Sequence, residues 1–120
     1  MKRQQPERAL QKAVTDYLKL ALPPEAFFSA IPGGDRQMTL TPGYVAGLPD
    51  VMIIYDGGPL FIELKAPKGR LSEAQEDVHA ALRRAGSNVR VCRSVAEVEE
   101  TLRYNCVPLR ATTQPSKVAA

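Results

Sequence analysis

Two short apolar runs near the middle of the chain form its clearest hydrophobic pattern. Residues 51–55 and 60–64 are rich in β-branched and aromatic side chains, and Asp56-Gly57-Gly58-Pro59 lies between them. Apolar runs of this length joined by Gly, Pro and Asp are typical of two strands and a turn. Because both faces of these runs are largely apolar, the pattern predicts a central β-hairpin covered by helices on either side.

Helical periodicity precedes the hairpin. Apolar residues at spacings of three and four predict a helix over about residues 6–22, which Pro6 begins and Pro23-Pro24 stops. A short apolar strand, either an edge strand or the first strand, is expected over residues 27–31, and a long irregular segment rich in glycine and proline follows it. The predicted buried stripe of the helix comprises Leu10, Val14, Tyr17, Leu18 and Ala21.

The C-terminal half alternates helix, strand and helix. Ser72 with Gln75 predicts a capping box that opens a helix ending near Gly86, and Ser94 with Glu97 predicts a second helix to about residue 104. A strand over residues 88–93 separates them. We expect one α/β domain over residues 1–104 and a polar tail over 105–120, flexible or packed on a partner subunit. The predicted buried stripe of the first of these helices is Ala74, Val78, Ala81, Leu82 and Ala85.

Three charged residues interrupt the apolar hairpin. Asp50 opens its first strand, and Glu63 and Lys65 fall within the second. If the turn is centred between residues 57 and 58, opposed residues have numbers that sum to 115, which places Asp50 across from Lys65 and Met52 across from Glu63. Residues opposed across strands, or two apart along one strand, share a face, so the three charges are expected to converge within about 5–8 Å.

This combination of charges suits metal-assisted hydrolysis of a phosphodiester. Two carboxylates, a strand carbonyl such as that of Leu64, and water would form the all-oxygen site that Mg²⁺ or Mn²⁺ prefers. Lys65 then has two candidate tasks, to orient or deprotonate the attacking water, or to stabilise negative charge in the transition state. The structural alternative is an ordinary salt-bridge cluster on the hairpin surface. The apolar Met52 and Phe61 on the same face argue against it.

At these residues a family resemblance becomes specific. Pro49-Asp50 followed by Glu63-Leu64-Lys65 resembles the Pro-Asp…(Asp/Glu)-X-Lys signature of the PD-(D/E)XK nuclease superfamily. The wider context is similar to one branch, the VRR-NUC domain, over roughly residues 5–104. The resemblance implies a restriction-endonuclease-like core, with a small mixed β-sheet flanked by helices. Its recurring elements are Glu7 in an early helix, a Pro-Gly-Gly segment with Arg36, Gly47-Leu48-Pro49-Asp50, Phe61-Ile62-Glu63-Leu64-Lys65 and Leu71-Ser72-Glu73-Ala74-Gln75.

The resemblance also implies roles for residues outside the hairpin. Glu7 would be a further catalytic carboxylate and metal ligand, although its position in the first turn equally suits the helix dipole. Gln75 would form a hydrogen bond near the metal-bound water or Lys65, in addition to its capping function. Independently of the resemblance, Arg36, Lys68 and Arg70 are candidate contacts to DNA phosphates, against the alternative of solvated basic loops.

Composition limits the other possibilities. Sixteen basic and 13 acidic residues give a net charge of +3, a mild bias that suits a polyanionic partner without establishing one. No apolar segment approaches a membrane span or a signal sequence, so we expect a cytoplasmic protein with no membrane contact. Cys92, Cys106 and the single histidine, His79, have no zinc-site spacing. No organic cofactor is expected.

The sequence therefore favours a nuclease that selects DNA by its structure. So small a domain offers little surface with which to identify a base sequence, and no segment resembles a recognition helix. Stand-alone members of the resembled family, including phage-encoded forms, suggest branched DNA such as four-way (Holliday) junctions, and a two-fold substrate suggests a homodimer. Two alternatives stay open. One is a non-catalytic DNA-binding or assembly module that keeps the fold, and the other is a restriction-type endonuclease with a separate specificity domain.

Overall fold

The computed structural model describes residues 5–33 and 40–113, in which three helices and four strands follow one another in the predicted order. No helix in these two stretches combines the length and apolar character needed to span a membrane. The elements are α1 (Gln5–Ala21), β1 (Phe27–Ala30), β2 (Val51–Tyr55), β3 (Gly58–Leu64), α2 (Glu73–Arg84), β4 (Asn88–Cys92) and α3 (Val95–Tyr104).

The four strands form one mixed sheet in the order β1-β2-β3-β4. β2 is antiparallel to both β1 and β3, and β4 lies parallel to β3. Such a parallel pair needs a crossover connection, which α2 provides. The hairpin is therefore central, as the sequence predicted, and β1 is an edge strand.

The hairpin turn consists of Asp56 and Gly57 alone, with φ angles of 53° and 76°. Asp-Gly is a preferred sequence for two-residue turns with two positive φ angles, because their twist matches that of the flanking strands. Gly58 and Pro59, which the sequence pattern assigned to the turn, therefore belong to β3. Tyr55 pairs with Gly58 across the end of the hairpin.

The predicted register of the hairpin is wrong by two residues. Met52 pairs with Phe61 and not with Glu63, and by the same register Asp50 does not lie across from Lys65. A shift of two residues preserves the face on which each β3 side chain lies, whereas a shift of one would reverse it. Glu63 therefore still shares a face with Met52 and Phe61.

The main core lies on one face of the sheet, beneath α1 and α3. The buried stripe predicted for α1 is confirmed: Val14, Leu18 and Ala21 are fully buried, Tyr17 is nearly so, and Leu10 packs against their edge. Alternate residues of the strands meet this stripe, as the two-residue period of a strand requires. The remaining buried members of the core are Leu22, Val51, Ile53, Leu60, Ile62, Leu64, Cys92, Val98, Leu102 and Val107.

α2 covers the opposite face. Both hydrogen bonds of the predicted capping box are present, since Ser72 Oγ accepts from the Gln75 N–H and Gln75 Oε1 accepts from the Ser72 N–H. Gly86, with φ of 95°, follows the C-cap as predicted. The predicted buried stripe of α2 is wrong. Ala74, Ala81 and Ala85 are exposed, Val78 and Leu82 are half-buried, and the buried residue of α2 is His79.

The packed part of the chain continues beyond the predicted domain boundary at residue 104. Val107 is buried in the core, the Arg110 N–H donates to the Ala21 carbonyl, and the Tyr17 hydroxyl donates to the Ala111 carbonyl. Burial, and secondarily the negative charge of Glu99, raises the pKa of Tyr17 to about 12. Arg110 and Ala111 therefore lie against α1 in the same subunit.

Candidate active site

Asp50 is held between two strands at the start of β2. Its N–H donates to the Ile62 carbonyl (3.0 Å), and its own carbonyl accepts from the Ile31 N–H (2.7 Å). The carboxylate Oδ2 accepts from the Leu64 N–H (2.7 Å), and the residue is only 7% exposed. Backbone bonds on both sides thus fix this side chain against the end of β3.

Glu63 lies on the α2 side of β3 and is fully buried. Two donors from α2 approach its carboxylate. Gln75 Nε2 donates to Oε2 (3.2 Å), and His79 Nε2 lies 3.3 Å from Oε1. A buried carboxylate without such partners would be very costly, so α2 provides the polar contacts that allow an acid at this position.

The capping box determines how Gln75 is oriented. Its Oε1 accepts from the Ser72 backbone N–H, a group that can only donate, so its amide Nε2 is directed to Glu63. The structural role and the site contact predicted for Gln75 are therefore compatible. Its observed partner is Glu63, whereas the sequence interpretation had placed it near Lys65 or the metal-bound water.

His79 is part of this cluster, which the sequence interpretation did not foresee. Only 1% of the residue is exposed, and burial is the main reason that its pKa lies below the ordinary value of a histidine. The positive charges of Arg83 and Lys65 lower that pKa further, and Asp50 opposes them. Since a carboxylate only accepts, the contact is a hydrogen bond when the ring carries a proton on Nε2, and we assign that tautomer.

Lys65 completes the cluster at the end of β3. Its N–H donates to the Cys92 carbonyl (3.1 Å), which ties its backbone to β4, and the residue is 8% exposed. Lys65 and Asp50 are both close enough to His79 to change its pKa. The structure thus gathers Asp50, Glu63, Lys65 and Gln75 beside α2, although the hairpin register that suggested this was wrong.

The turn after Lys65 carries the predicted basic contacts. The Arg93 guanidinium donates to the carbonyls of Ala66 (2.6 Å), Pro67 (3.3 Å) and Gly69 (2.8 Å), and so fixes this turn to the end of β4. Lys68 and Arg70 are exposed on it. Their proposed contacts with DNA stay predictions, and Arg36 lies outside the described residues.

Glu7 of α1 approaches the same turn. A Cβ atom at Gly69 would lie 3.2 Å from Glu7 Oε2, so glycine leaves room for this carboxylate. Within residues 5–33 and 40–113, no three His, Cys, Asp or Glu side chains are grouped so that they could hold a metal ion. The metal and catalytic roles of Glu7 therefore stay predictions, as does the Leu64 carbonyl as a ligand.

The carboxylate oxygens of Asp50 and Glu63 are of the kind that binds a hard divalent cation. Mg²⁺ commonly binds proteins through one or two carboxylates and completes its shell with water and substrate phosphate. Asp50 and Glu63 supply two carboxylates with little exposure, and each is oriented by protein hydrogen bonds, as ligating groups usually are. These residues are the ones that would hold Mg²⁺ or Mn²⁺ here.

Fold and site together define a small α/β domain in which two buried carboxylates and a lysine share one end of a central hairpin. A family model of the VRR-NUC domain, a nuclease-type domain, matches residues 4–96. Since this match spans well over half of the sequence, the chain belongs to the VRR-NUC family. The resemblance noted from the motifs is confirmed.

Two solved structures share the fold. One, titled "VRR_NUC domain", has a TM-score of 0.60 at 21% identity, and the match covers 84% of this chain and 98% of that one. The other, titled "VRR_NUC domain protein", has a TM-score of 0.64 at 20% identity, covering 81% and 84%. No curated protein matches the sequence. The mixed four-stranded sheet flanked by helices is therefore the fold of this family, as predicted.

Proposed function

We propose that this chain is a metal-dependent endonuclease that hydrolyses DNA phosphodiester bonds and selects branched DNA, such as four-way junctions. The observation that supports this most is the burial of Asp50, Glu63 and Lys65 together at one end of β3. Buried charges cost stability, and a packed apolar face would not need them. Their presence in a nuclease-type domain is best explained by chemistry on an acidic substrate.

In this proposal Asp50 and Glu63 hold Mg²⁺ or Mn²⁺, which when bound neutralises charge at the scissile phosphate. Lys65 acts on the substrate side. Its ammonium either orients the attacking water or stabilises the negative charge that develops on the phosphate oxygens. Gln75 keeps the Glu63 carboxylate in place, and the exposed Lys68 and Arg70 contact the DNA backbone without identifying its sequence.

The proposal is tested by cleavage of labelled linear duplex, nicked, flapped and four-way junction DNA in Mg²⁺, Mn²⁺ or EDTA. We expect metal-dependent cutting, strongest on the junction, and a loss of about 10²–10³-fold in rate for Lys65→Ala, the scale for removing one group that stabilises transition-state charge. Lys19→Ala is the matched control, because Lys19 is an exposed lysine in the last turn of α1. Tight junction binding without cutting in either metal would instead favour a non-catalytic DNA-binding module.

A homodimer is the second part of the proposal. A four-way junction has two-fold symmetry, so paired cuts call for two active sites related by a dyad. Phe27 on the edge strand β1 is 60% exposed, and an edge strand with an exposed aromatic side chain is suited to pairing with another copy. Sedimentation of the protein with and without junction DNA should show two chains per junction, and a single chain per junction under cutting conditions would contradict this part.

A further inference from the structure

One helix presents two donors to the two oxygens of one carboxylate. Gln75 and His79 are four residues apart on α2 and therefore lie on the same face of the helix. Gln75 Nε2 donates to Oε2 of Glu63 at 3.2 Å, and His79 Nε2 lies 3.3 Å from Oε1. The terminal torsion of a glutamate side chain is broad, so a donor on each of its two oxygens restrains the carboxylate plane more than a donor on one oxygen.

Packing alone does not explain a histidine at this position. His79 is 1% exposed, and among the described residues its Nδ1 atom has no hydrogen-bond partner. An unpaired buried polar atom lowers stability, and a leucine would fill a similar volume without one. What the imidazole offers in return is the Nε2–H donor to Glu63, because a carboxylate accepts and does not donate.

We propose that His79 is a positioning residue of the nuclease site, which holds Oε1 of Glu63 so that the carboxylate is oriented to bind the divalent ion. This inference rests on the proposed function, because it assumes that Glu63 binds a metal. Hydrogen-bond donors that do not bind the metal but orient a carboxylate that does are a general feature of metal sites. Gln75 contacts Oε2 and His79 contacts Oε1, so the two residues act as a pair on one carboxylate.

The test compares two replacements of His79. Gln places its Nε2 the same number of bonds from Cα as the histidine Nε2 and so keeps a donor, whereas Leu removes it and fills the space. We expect His79→Leu to weaken Mn²⁺ binding to the free protein by about 10–100-fold, and His79→Gln to recover most of that affinity, as for other residues that orient metal ligands. Isothermal titration calorimetry without DNA measures this, and kcat and KM on junction DNA are measured alongside.

Val98→Ala is the control for stability, since it removes buried volume from α3 on the other face of the sheet. It should lower the melting temperature without changing Mn²⁺ affinity. A folded His79→Leu variant with wild-type affinity and kcat would overturn the inference and leave the proposed function intact. A His79→Gln variant as weak as His79→Leu would also overturn it, because the donor would then not be what matters.

A second measurement needs no substitution. His79 is the only histidine in the sequence, so ¹⁵N-histidine labelling gives the ring signals of this residue alone. We expect the tautomer protonated on Nε2 and a shift of the ring signals when Mg²⁺ is added. A ring protonated on Nδ1, or ring signals unchanged at saturating Mg²⁺, would overturn the inference. Wild-type protein that neither binds metal nor cuts DNA would overturn the proposed function and this inference with it.

Discussion

Ile62 and Glu63 are neighbours in β3, are both fully buried, and face opposite sides of the same sheet. Ile62 meets an apolar layer formed by α1 and α3, where the buried strand residues are hydrophobic. Glu63 meets α2, whose buried residue is a histidine. The first face stabilises the fold by removing apolar surface from water, and the second places charges where burial is costly. The comparison indicates that apolar packing on one side of β3 offsets the cost of burying charges on its other side.

Ile62→Ala should have the largest effect on stability. Removing buried methyl groups leaves a cavity and typically costs about 2–5 kcal/mol, whereas Ile62→Val should cost about 0.5–1.5 kcal/mol. Metal-dependent cutting per folded molecule should stay near wild type, because the site face is untouched. Urea unfolding measures the first quantity and initial rates at low temperature the second. A loss of activity in well-folded Ile62→Ala would show that the two faces are not separable.

Glu63→Gln should have the opposite outcome. The substitution keeps the volume and removes a buried charge, and the amide can still pair with Gln75 and with the other tautomer of His79. We expect the free energy of unfolding to change by less than about 1 kcal/mol, or to rise. Cutting should fall by about 10²–10³-fold or more, since one of two metal-binding carboxylates is lost. A large loss of stability that accounts for the whole loss of activity would indicate that Glu63 serves mainly as a structural residue.

The sequence allowed the core face to be predicted more fully than the site face. The stripe of α1 and the strand Val51–Tyr55 repeat with the periods of a helix and a strand, so periodicity alone located them. On the site face, α2 buries the polar His79, so the apolar spacing that predicts Ala81 and Ala85 to be interior is wrong. The spacing of His79 four residues after Gln75 was the available signal, because it places the histidine above the same carboxylate.

The hairpin register shows a second limit. Its error arose from choosing Gly57-Gly58 as the turn centre when Asp56-Gly57 was the better match to a two-residue turn. The contact between Arg93 and the turn after Lys65 could not be predicted, because it joins carbonyl groups that leave no pattern in the sequence. Convergence of the charges followed from the two-residue period of strands, which the shift preserved.

Gly47→Ala should lower both the stability of the fold and the affinity for Mn²⁺, each to an intermediate degree. Gly47 has φ of 96°, and a Cβ there would lie 2.5 Å from the Ala74 carbonyl oxygen and 2.9 Å from the Gln75 nitrogen. The backbone strain costs about 1–3 kcal/mol, and the clash pushes the first turn of α2, with Gln75, away from Glu63. We expect lower stability in thermal unfolding and weaker Mn²⁺ binding in calorimetry.

Gly43→Ala separates backbone strain from the clash with α2, the two causes of the effect expected for Gly47→Ala. Gly43 also has a positive φ, 82°, but nothing lies within 4 Å of its Cβ position. It should therefore lower stability through backbone strain and leave Mn²⁺ affinity unchanged. If both alanine variants weakened Mn²⁺ binding equally, the close contact between Gly47 and α2 would have no role in placing Gln75.

Glu99→Gln should have the smallest effect on the active site, and it compares two buried acids, Glu99 and Glu63, that have different roles. Glu99, on α3, accepts from the Thr113 hydroxyl and N–H, the Thr112 hydroxyl and Arg103. The bonds from Thr113, followed by that from Arg103, lower the pKa of Glu99 to about 2. The donors from Thr112 and Thr113 secure the segment after α3. The glutamine variant should therefore lose about 1–2 kcal/mol at neutral pH without losing DNA cleavage.

The stabilisation by Glu99 should decrease as the pH falls. Because the carboxyl pKa is lower in the folded state than its ordinary value of 4.5, the stabilisation by Glu99 is fully present above that value and is lost as the pH falls toward about 2. The difference in melting temperature between wild type and Glu99→Gln should thus be largest near pH 7 and should shrink between pH 5 and pH 3. Glu100→Gln, an exposed neighbour, is the control. A difference that stayed constant down to pH 3 would mean that the charge of Glu99 does not hold this segment, which would then depend on its apolar packing and its hydrogen bonds to α1.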